Sequence, residues 1–457
     1  MAQAFFGGVH PHDMKAATNE KAIEQLAPPA VVVIPMSMHF GAPCTPLVKA
    51  GDHVKVGQKI GEFHGLGAPI HASVSGTGKA VDPRPYSMGG NITSVVIEND
   101  MQDEVSEEVQ APADPNALSV EEMVEIVKNA GIVGMGGATF PTHVKITSGI
   151  GKVNTVIING AECEPYITGD HRTMLERPEE IIGGAKFLAK MFGVDKVVIG
   201  VEDNKRNGID AMNKVIAEQK APVVVEPLRC RYPQGGEKQL CQAITGRQVP
   251  PGGLPADIGC AVFNINTTCA IYRALTTGMP VVRKIVTVSG SGVVEPKNLE
   301  CPIGTPVSSL LDACGGLKDG TYKLIAGGPM MGMAQYTADI SVAKGTGAIL
   351  AFCENEEKTV ENPQCIRCGK CVSVCPMHLE PLFMYQYASK GMVEELNDAH
   401  IMDCMECGAC SYICPARMHL THMFKTGKQL VKDKAAADRA AAEAKKKAEE
   451  AKEAAAK

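Results

Sequence analysis

The chain has no apolar run of membrane-spanning length. A helix that crosses a bilayer needs about 20 consecutive apolar residues, so any role at a membrane is expected to come through partners. It also has no excess of positive charge. Against 45 Lys and Arg stand 51 Asp and Glu, and the one segment dense in basic residues is a mixed Ala, Lys and Glu tail. Nucleic acid, which is held by clustered Lys and Arg, is therefore not expected as a partner. The opening MAQAFFGGVHPHDMK lacks a basic stretch followed by an apolar one, so no signal peptide is expected. What the chain has in quantity is cysteine. Of seventeen, eight fall in two motifs and the remaining nine show no framework spacing, which points to free thiols in a reducing compartment.

The two motifs are copies of one pattern: Cys365-x2-Cys368-x2-Cys371-x3-Cys375-Pro376 and Cys404-x2-Cys407-x2-Cys410-x3-Cys414-Pro415. Three thiolates at such spacing wrap a tight loop around one face of a 4Fe-4S cube, and the fourth Cys, beside Pro, ligates the other cluster. The expected sets are crossed: Cys365, Cys368, Cys371 and Cys414 for one cluster, Cys404, Cys407, Cys410 and Cys375 for the other. Zinc also takes Cys-x2-Cys pairs, but it rarely uses three closely spaced cysteines plus Cys-Pro. Two clusters that each move one electron at low potential make the chain an electron carrier.

At 457 residues the chain is long enough for three or four domains. Residues 28–100 read as short β-runs broken by glycine, and V-x-x-GD-x-V-x-x-GQ-x-I followed by P-I-x-A-x-x-x-G resembles the barrel-sandwich fold of lipoyl and biotinyl carrier domains. The expected hairpin tip, Phe63-His64-Gly65-Leu66-Gly67-Ala68, holds no carrier lysine, so the module is read as a structural copy without a swinging arm. After a Pro-containing acidic linker, Ser119 and Glu122 can form a capping box for a helix with Met123, Ile126 and Val127 on one face. Strands at 153–160 and 196–203, with a crossover helix at 178–193, form a Rossmann-like unit. Beyond Pro280, short strands around a helix at 306–314 form a small α+β module. The cysteine region needs only short helices. The last residues have helix propensity and no apolar stripe, and read as a solvated helix or frayed tail. The expectation is a multidomain α/β and β chain: 1–115, barrel-sandwich hybrid and linker; 116–280, Rossmann-like flavin domain; 281–350, β-grasp insert; 351–426, ferredoxin-like helical 2x4Fe-4S domain; 427–457, charged tail.

Gly134-Met135-Gly136-Gly137-Ala138-Thr139-Phe140-Pro141-Thr142 places three glycines before a helix start. Glycines let backbone amides approach a phosphate, and Lys145, one turn into the helix, can add a positive charge to the same phosphate. At the end of the first parallel strand, where ligands of open α/β sheets bind, stand Asn159, Glu162 and Glu164. Two carboxylates there repel phosphate, but they can accept hydrogen bonds from a flavin ring, a ribose or a carboxamide. The plain alternative is a solvated acidic turn.

These segments, then Gly235-Gly236-Glu237 and Asn264-x-Asn266-Thr267-Thr268, occur in the order seen in the flavin-binding, NADH-oxidising subunit of respiratory complex I, which residues 120–280 resemble. The resemblance implies that Gly134, Gly136, Gly137 and Lys145 hold FMN phosphate. It also implies that Asn159, Glu162, Glu164, Gly235, Asn264 and Thr268 line the cofactor site, and that Phe140 and Glu237 serve NADH. The family has Asp at Ala161 and a second Glu at Gly236, so the nicotinamide side has less charge here. The module after Pro280 resembles the soluble-ligand-binding β-grasp domain of the same family.

With the opening F-x-G-G-V-H-P, the lysine-free barrel-sandwich and two cluster motifs, the whole chain resembles the C subunits of the Rnf complex. A sister family, the corrin reductases of propanediol-degrading microcompartments, places its β module after the clusters; the domain order here favours Rnf over such a soluble FMN and 4Fe-4S NADH-dependent reductase or a diaphorase subunit. The resemblance implies FMN, two 4Fe-4S clusters and NAD(H) as cofactors. It further implies the membrane and peripheral Rnf subunits as direct partners and ferredoxin as an indirect one, at the cytoplasmic face of the cell membrane. Electron flow between ferredoxin and NAD would be coupled by the whole complex to Na+ or H+ transport.

Overall fold

The structure, a computed structural model, describes residues 5–353 and 360–455, with side chains up to 447. The chain forms two compact units, one of His10–Glu357 and one of Phe5–Val9 with Lys358–Lys457.

In the first unit the β-rich N-terminal module is a sandwich of two sheets. Val31–Pro35, Asn91–Asn99, Gly76–Pro85 and His53–Val54 form one, and Thr45–Pro46, Lys59–Glu62 and Ile70–His71 the other. Alternation along Val31–Pro35 sends Val32 and Ile34 into the core, where they meet Val54, Ile60, Ile70 and Ile97.

The next layer is a four-stranded, all-parallel sheet in the order Val223–Leu228, Val197–Glu202, Thr155–Gly160, Cys260–Asn264. Its β-branched runs are covered by helices Pro178–Phe192, Arg206–Gln219 and Ile265–Thr277. The chain builds outward from Thr155–Gly160 on one side and then returns to add Cys260–Asn264 on the other. The switch point therefore lies between these two strands, and the last residues of both face the crevice where such sheets bind ligands. Asn159 and Asn264 are register partners there. The capping box at Ser119 is formed, with Ser119 Oγ accepting from the Glu122 N–H and the Glu122 carboxylate accepting from the Ser119 N–H.

The third layer is a six-stranded mixed sheet ordered Ile23–Gln25, Lys297–Pro302, Arg283–Ser289, Ala348–Cys353, Thr321–Ala326, Met333–Gln335, with helix Val307–Ala313 against it. Its edge strand Ile23–Gln25 comes from the N-terminal segment and pairs in parallel with Lys297–Pro302. Three residues carry no alternation that a sequence pattern could reveal. Glu300 of this sheet receives hydrogen bonds from Arg177, at the start of the Pro178–Phe192 helix, and from Gln25. Despite its burial, these partners hold its carboxyl down to about 2.

The second unit is helical: Lys370–Ser373, Pro381–Ser389, Val393–Asp398, Ala409–Ile413 and Leu420–Ala455. Met384, Leu396, Ile401 and Phe424 form its core. The N-terminal residues close on it, with Gly8 N–H donating to Val374 O (2.8 Å) and Phe6 stacked on His378 (4.4 Å). The last helix is anchored through Phe424 and Val431 and then runs on with exposed side chains through residue 447.

Helices Pro178–Phe192 and Ile265–Thr277 approach so closely that a Cβ on Gly184 would lie 2.2 Å from the Thr268 carbonyl oxygen. Backbone cannot yield as a side chain does. Gly184→Ala is expected to destabilise this α/β domain by about 1–3 kcal/mol, read as a lower midpoint of thermal unfolding.

Candidate functional site

The glycine loop is closed by its own backbone. Gly134 N–H donates to Phe140 O (2.9 Å), Thr139 N–H donates to Gly134 O (3.1 Å), and Thr139 takes a left-handed φ of 48°. Met135 is held at both ends: its N–H donates to Thr267 Oγ1 (2.9 Å) and its carbonyl accepts from Lys284 Nζ (3.0 Å). The next three residues, Gly136, Gly137 and Ala138, are exposed, and among the described residues their N–H groups donate to no protein acceptor. Gly137 has φ 147° with open space where a Cβ would stand. Successive unpaired amides beside the Thr142–Gly149 helix start form a nest for an anion. This chemistry fits a flavin mononucleotide phosphate.

The floor of the crevice is built from the strand ends. Asn159 Nδ2 donates to Gly235 O (2.9 Å), and Gly235 N–H in turn reaches Cys163 Sγ (3.3 Å), fixing the turn before helix Glu237–Thr245. Asn264 caps the Ile265–Thr277 helix by accepting from Asn266 N–H (2.9 Å). The side-chain amides of Asn264 and Asn266 both donate to Asp170, at 2.7 and 2.5 Å. A Cβ on Gly136 would lie 3.2 Å from Asn264, so the loop rests on this asparagine.

Several expected site residues have other work. Lys145 does not extend to the glycine loop; its ammonium donates to Glu237 Oε1 (2.7 Å) and Val262 O (3.0 Å), because the helix turn that carries it faces the end of Cys260–Asn264. Glu237 is thereby half of an ion pair with both partners partly exposed. Glu162 presents no free carboxylate. It has φ 48°, accepts from the N–H groups of Asp170 (2.6 Å) and His171 (3.3 Å), and so caps helix Gly169–Glu176. The Glu164 carboxylate accepts from Met330 N–H (3.0 Å) and Tyr232 OH (3.4 Å). Thr268 is fully buried and its hydroxyl donates back to Asn264 O (3.0 Å), so it packs the helix and lines no crevice. Phe140 remains half-exposed, its ring 6.0 Å from that of the exposed Phe40.

Four further residues matter here: Lys15, Asp170, Thr267 and Lys284. Lys15 is 5% exposed, and its ammonium donates to the carbonyls of Glu162 (2.9 Å), Glu164 (3.0 Å) and Ile167, stapling the acidic turn. Only Thr267 lies within a sequence motif; the others gain their roles from segments far apart along the chain. Burial raises the carboxyls of Glu162 and Glu164 to about 7, and it raises Asp170 and lowers Lys15 in the same way.

In the cluster domain two cavities sort the eight cysteines. One is lined by Cys375, Cys404, Cys407 and Cys410, the other by Cys365, Cys368, Cys371 and Cys414. Each cavity takes three cysteines of one motif and the Cys-Pro cysteine of the other, as the crossed pairing requires. The motifs repeat one backbone path, with left-handed residues at Arg367 and Glu406, Gly369 and Gly408, and His378 and Arg417. Arg367 and Glu406 N–H groups each donate to the preceding motif sulfur at 3.4 Å. The donor sets fit two 4Fe-4S clusters. They differ in exposure: Cys375, Cys407 and Cys410 are buried, whereas Cys365 and Cys368 are exposed.

Glu162 supplies a pH test. Its folded-state carboxyl titrates near 7 against an ordinary 4.5, so between these values the folded chain holds a proton that the unfolded chain has lost, and stability from this group falls as pH rises. Glu162→Gln stays neutral throughout. The thermal midpoint of the variant relative to the unaltered chain is expected to rise steadily between pH 5 and about 8; a pH-independent difference would show that Glu162 is ionised in the folded state.

Family models match in the order of the modules: a barrel sandwich hybrid domain of RnfC over residues 3–102, the Nuo51 FMN-binding domain over 127–273, an SLBB domain over 285–334 and a 4Fe-4S dicluster domain over 357–415. The chain is 45% identical, over 87% of its length and 90% of the relative's, to the C subunit of the Na+-translocating ferredoxin:NAD+ oxidoreductase complex of Acetobacterium woodii. It is 43% identical, over 88% of each chain, to the C subunit of the proton-translocating ferredoxin:NAD+ oxidoreductase complex of Clostridium ljungdahlii. It is 41% identical to the C subunit of the ion-translocating oxidoreductase complex of Rhodobacter capsulatus, over 82% of this chain and 73% of the relative. With an FMN-binding domain, a dicluster domain and relatives of this closeness along nearly its whole length, the chain belongs to the C-subunit family of ion-translocating ferredoxin:NAD+ oxidoreductase complexes.

Proposed function

We propose that this chain is the peripheral, NAD(H)-reactive electron-transfer subunit of such a complex, working at the cytoplasmic face of the cell membrane through partner subunits that connect it to ferredoxin and to Na+ or H+ transport. Among the described residues no helix is long and apolar enough to cross a membrane, which accords with attachment through partners. The observation that carries the reading is the presence, on one chain, of an open amide nest at a sheet switch point and two four-cysteine cavities.

FMN, when bound, supplies the conversion between two-electron hydride chemistry and one-electron transfer. The chain's own residues bind and orient. The N–H groups of Gly136, Gly137 and Ala138 hold the phosphate, and Gly134 lets the loop close through its bond to Phe140. Asn159, tied to Gly235, holds the turn that lines the ring side of the crevice. Phe140 offers a half-exposed aromatic face for a nicotinamide nucleotide. The Glu237 carboxylate, partnered by Lys145, accepts hydrogen bonds from that nucleotide at the crevice rim. Asn264 supports the loop from below, while Glu162, Glu164 and Thr268 hold the surrounding backbone. The two crossed cysteine sets hold the clusters that pass electrons singly.

Four experiments test this. Anaerobically isolated protein is expected to hold about eight irons and eight sulfides. In Cys375→Ser the loss should fall on the buried cluster of Cys404, Cys407 and Cys410, because Cys375 lines that cavity; electron paramagnetic resonance distinguishes this from loss of the other. Gly136→Val should remove FMN and leave the iron content intact, since a branched side chain meets Asn264 and blocks the close approach of the amides. The unaltered chain, alone and without membrane, should be reduced by NADH, seen as bleaching of its visible absorbance, and Gly136→Val should not.

A further inference from the structure

Lys145, the cation that the sequence places at the glycine loop, has its ammonium engaged by Glu237 and Val262 O. A different ammonium bonds to the loop. Lys284, in strand Arg283–Ser289 of the six-stranded sheet, is 4% exposed and donates to the carbonyl of Met135, the residue immediately before the three open amides. Resting on the FMN reading above, we propose that Lys284 is a positioning residue for the flavin phosphate: it locks the peptide that begins the amide nest and supplies the buried positive charge behind it.

A lysine ammonium has three donors and is costly to bury without charge and hydrogen-bond partners. Lys284 donates to Met135 O, and its electrostatic counterpart is Asp170. Both Asp170 oxygens already accept from Asn264 and Asn266. One carbonyl offsets little of the cost of a fully buried cation, and a neutral donor would brace the loop equally well. A phosphate on the amides of Gly136, Gly137 and Ala138 would supply the missing negative charge through the same short loop. Burial draws the lysine down to about 8, so it stays mostly charged near neutrality.

The location has a consequence for the architecture. Thr267, which holds the Met135 N–H, belongs to the flavin domain; Lys284, which holds the Met135 carbonyl, belongs to the β-grasp sheet. The β-grasp module thus completes the phosphate loop of its neighbour, and no motif within residues 134–145 contains the cation that the loop uses.

The test compares FMN with riboflavin, which has the same ring and no phosphate. Full-length protein with its clusters intact and its flavin removed is titrated with each, following the quenching of flavin fluorescence. Lys284→Met should weaken FMN binding about tenfold or more, leave riboflavin within about twofold, and be largely rescued in Lys284→Arg, which restores the charge. Should Lys284→Met fold poorly because Asp170 is left uncompensated, Lys284→Met with Asp170→Asn keeps the interior neutral and should show the same FMN-selective loss. Equal losses for both flavins, or no loss in either variant, would overturn the proposal and leave Lys284 as a packing residue. If the unaltered chain quenches neither flavin, the FMN reading itself fails and the proposal with it.

Discussion

The flavin domain depends on compensating charge that is buried beneath the carboxyl edge of its parallel sheet. Glu162, Glu164, Asp170 and Glu202 are buried or partly buried there, and burial raises every one of them. Isolated carboxylates in such a place would cost several kcal/mol each. The chain answers with cations drawn from three separate segments: Lys15 on the acidic turn, Lys205 beside Glu202 (3.2 Å) and on Ala161 O (2.7 Å), and Lys284 beside Asp170. Removing any one partner leaves the others unbalanced, so the N-terminal segment and the β-grasp sheet are structural parts of the α/β domain.

Buried polar groups also join the modules of the first unit. Thr18, Thr168, Thr287 and Asn298 form one buried hydrogen-bonded chain that links the N-terminal segment, the acidic turn and the β-grasp sheet. Lys344 donates to Pro69 O and Gly131 O, each at 2.7 Å, and so pins the sandwich and the flavin domain to the loop before Ala348–Cys353. Fully satisfied polar networks of this type set one arrangement in preference to others. The barrel-sandwich also reaches the glycine loop, where its Phe40 N–H donates to Thr139 O at 3.0 Å.

The cluster domain is held by a simpler device. Two copies of one motif adopt the same backbone path, and exchange of their Cys-Pro cysteines interlocks them. Unequal burial follows from what surrounds each copy. The Cys404 motif lies against the start of the Leu420–Ala455 helix, where Lys428 bonds to Cys404 O and Glu406, while Cys365 and Cys368 stay exposed. Exposure and nearby charge are levers on cluster potential, so the two sites are electrostatically distinct despite equal ligand sets.

Features set by neighbouring residues were legible before the chain was folded. Cysteine spacing pointed to two clusters and grouped the eight cysteines as the two cavities do, because a short motif carries its own backbone path. Val and Ile runs with a crossover helix identified the parallel sheet, and glycines before Pro141 identified the loop, since each pattern is enforced by neighbouring residues along the chain. Which charged side chains reach that loop follows only from the folded arrangement. Lys145 is near in sequence yet turned to Glu237, while Lys284 is remote in sequence yet bonded to Met135. Glu162 stands in a strand-end motif and commits its carboxylate to a helix cap. A three-residue strand at Ile23–Gln25 was invisible for the same reason: a contact between segments hundreds of residues apart leaves no periodicity in either, and its energy exists only once both are buried together.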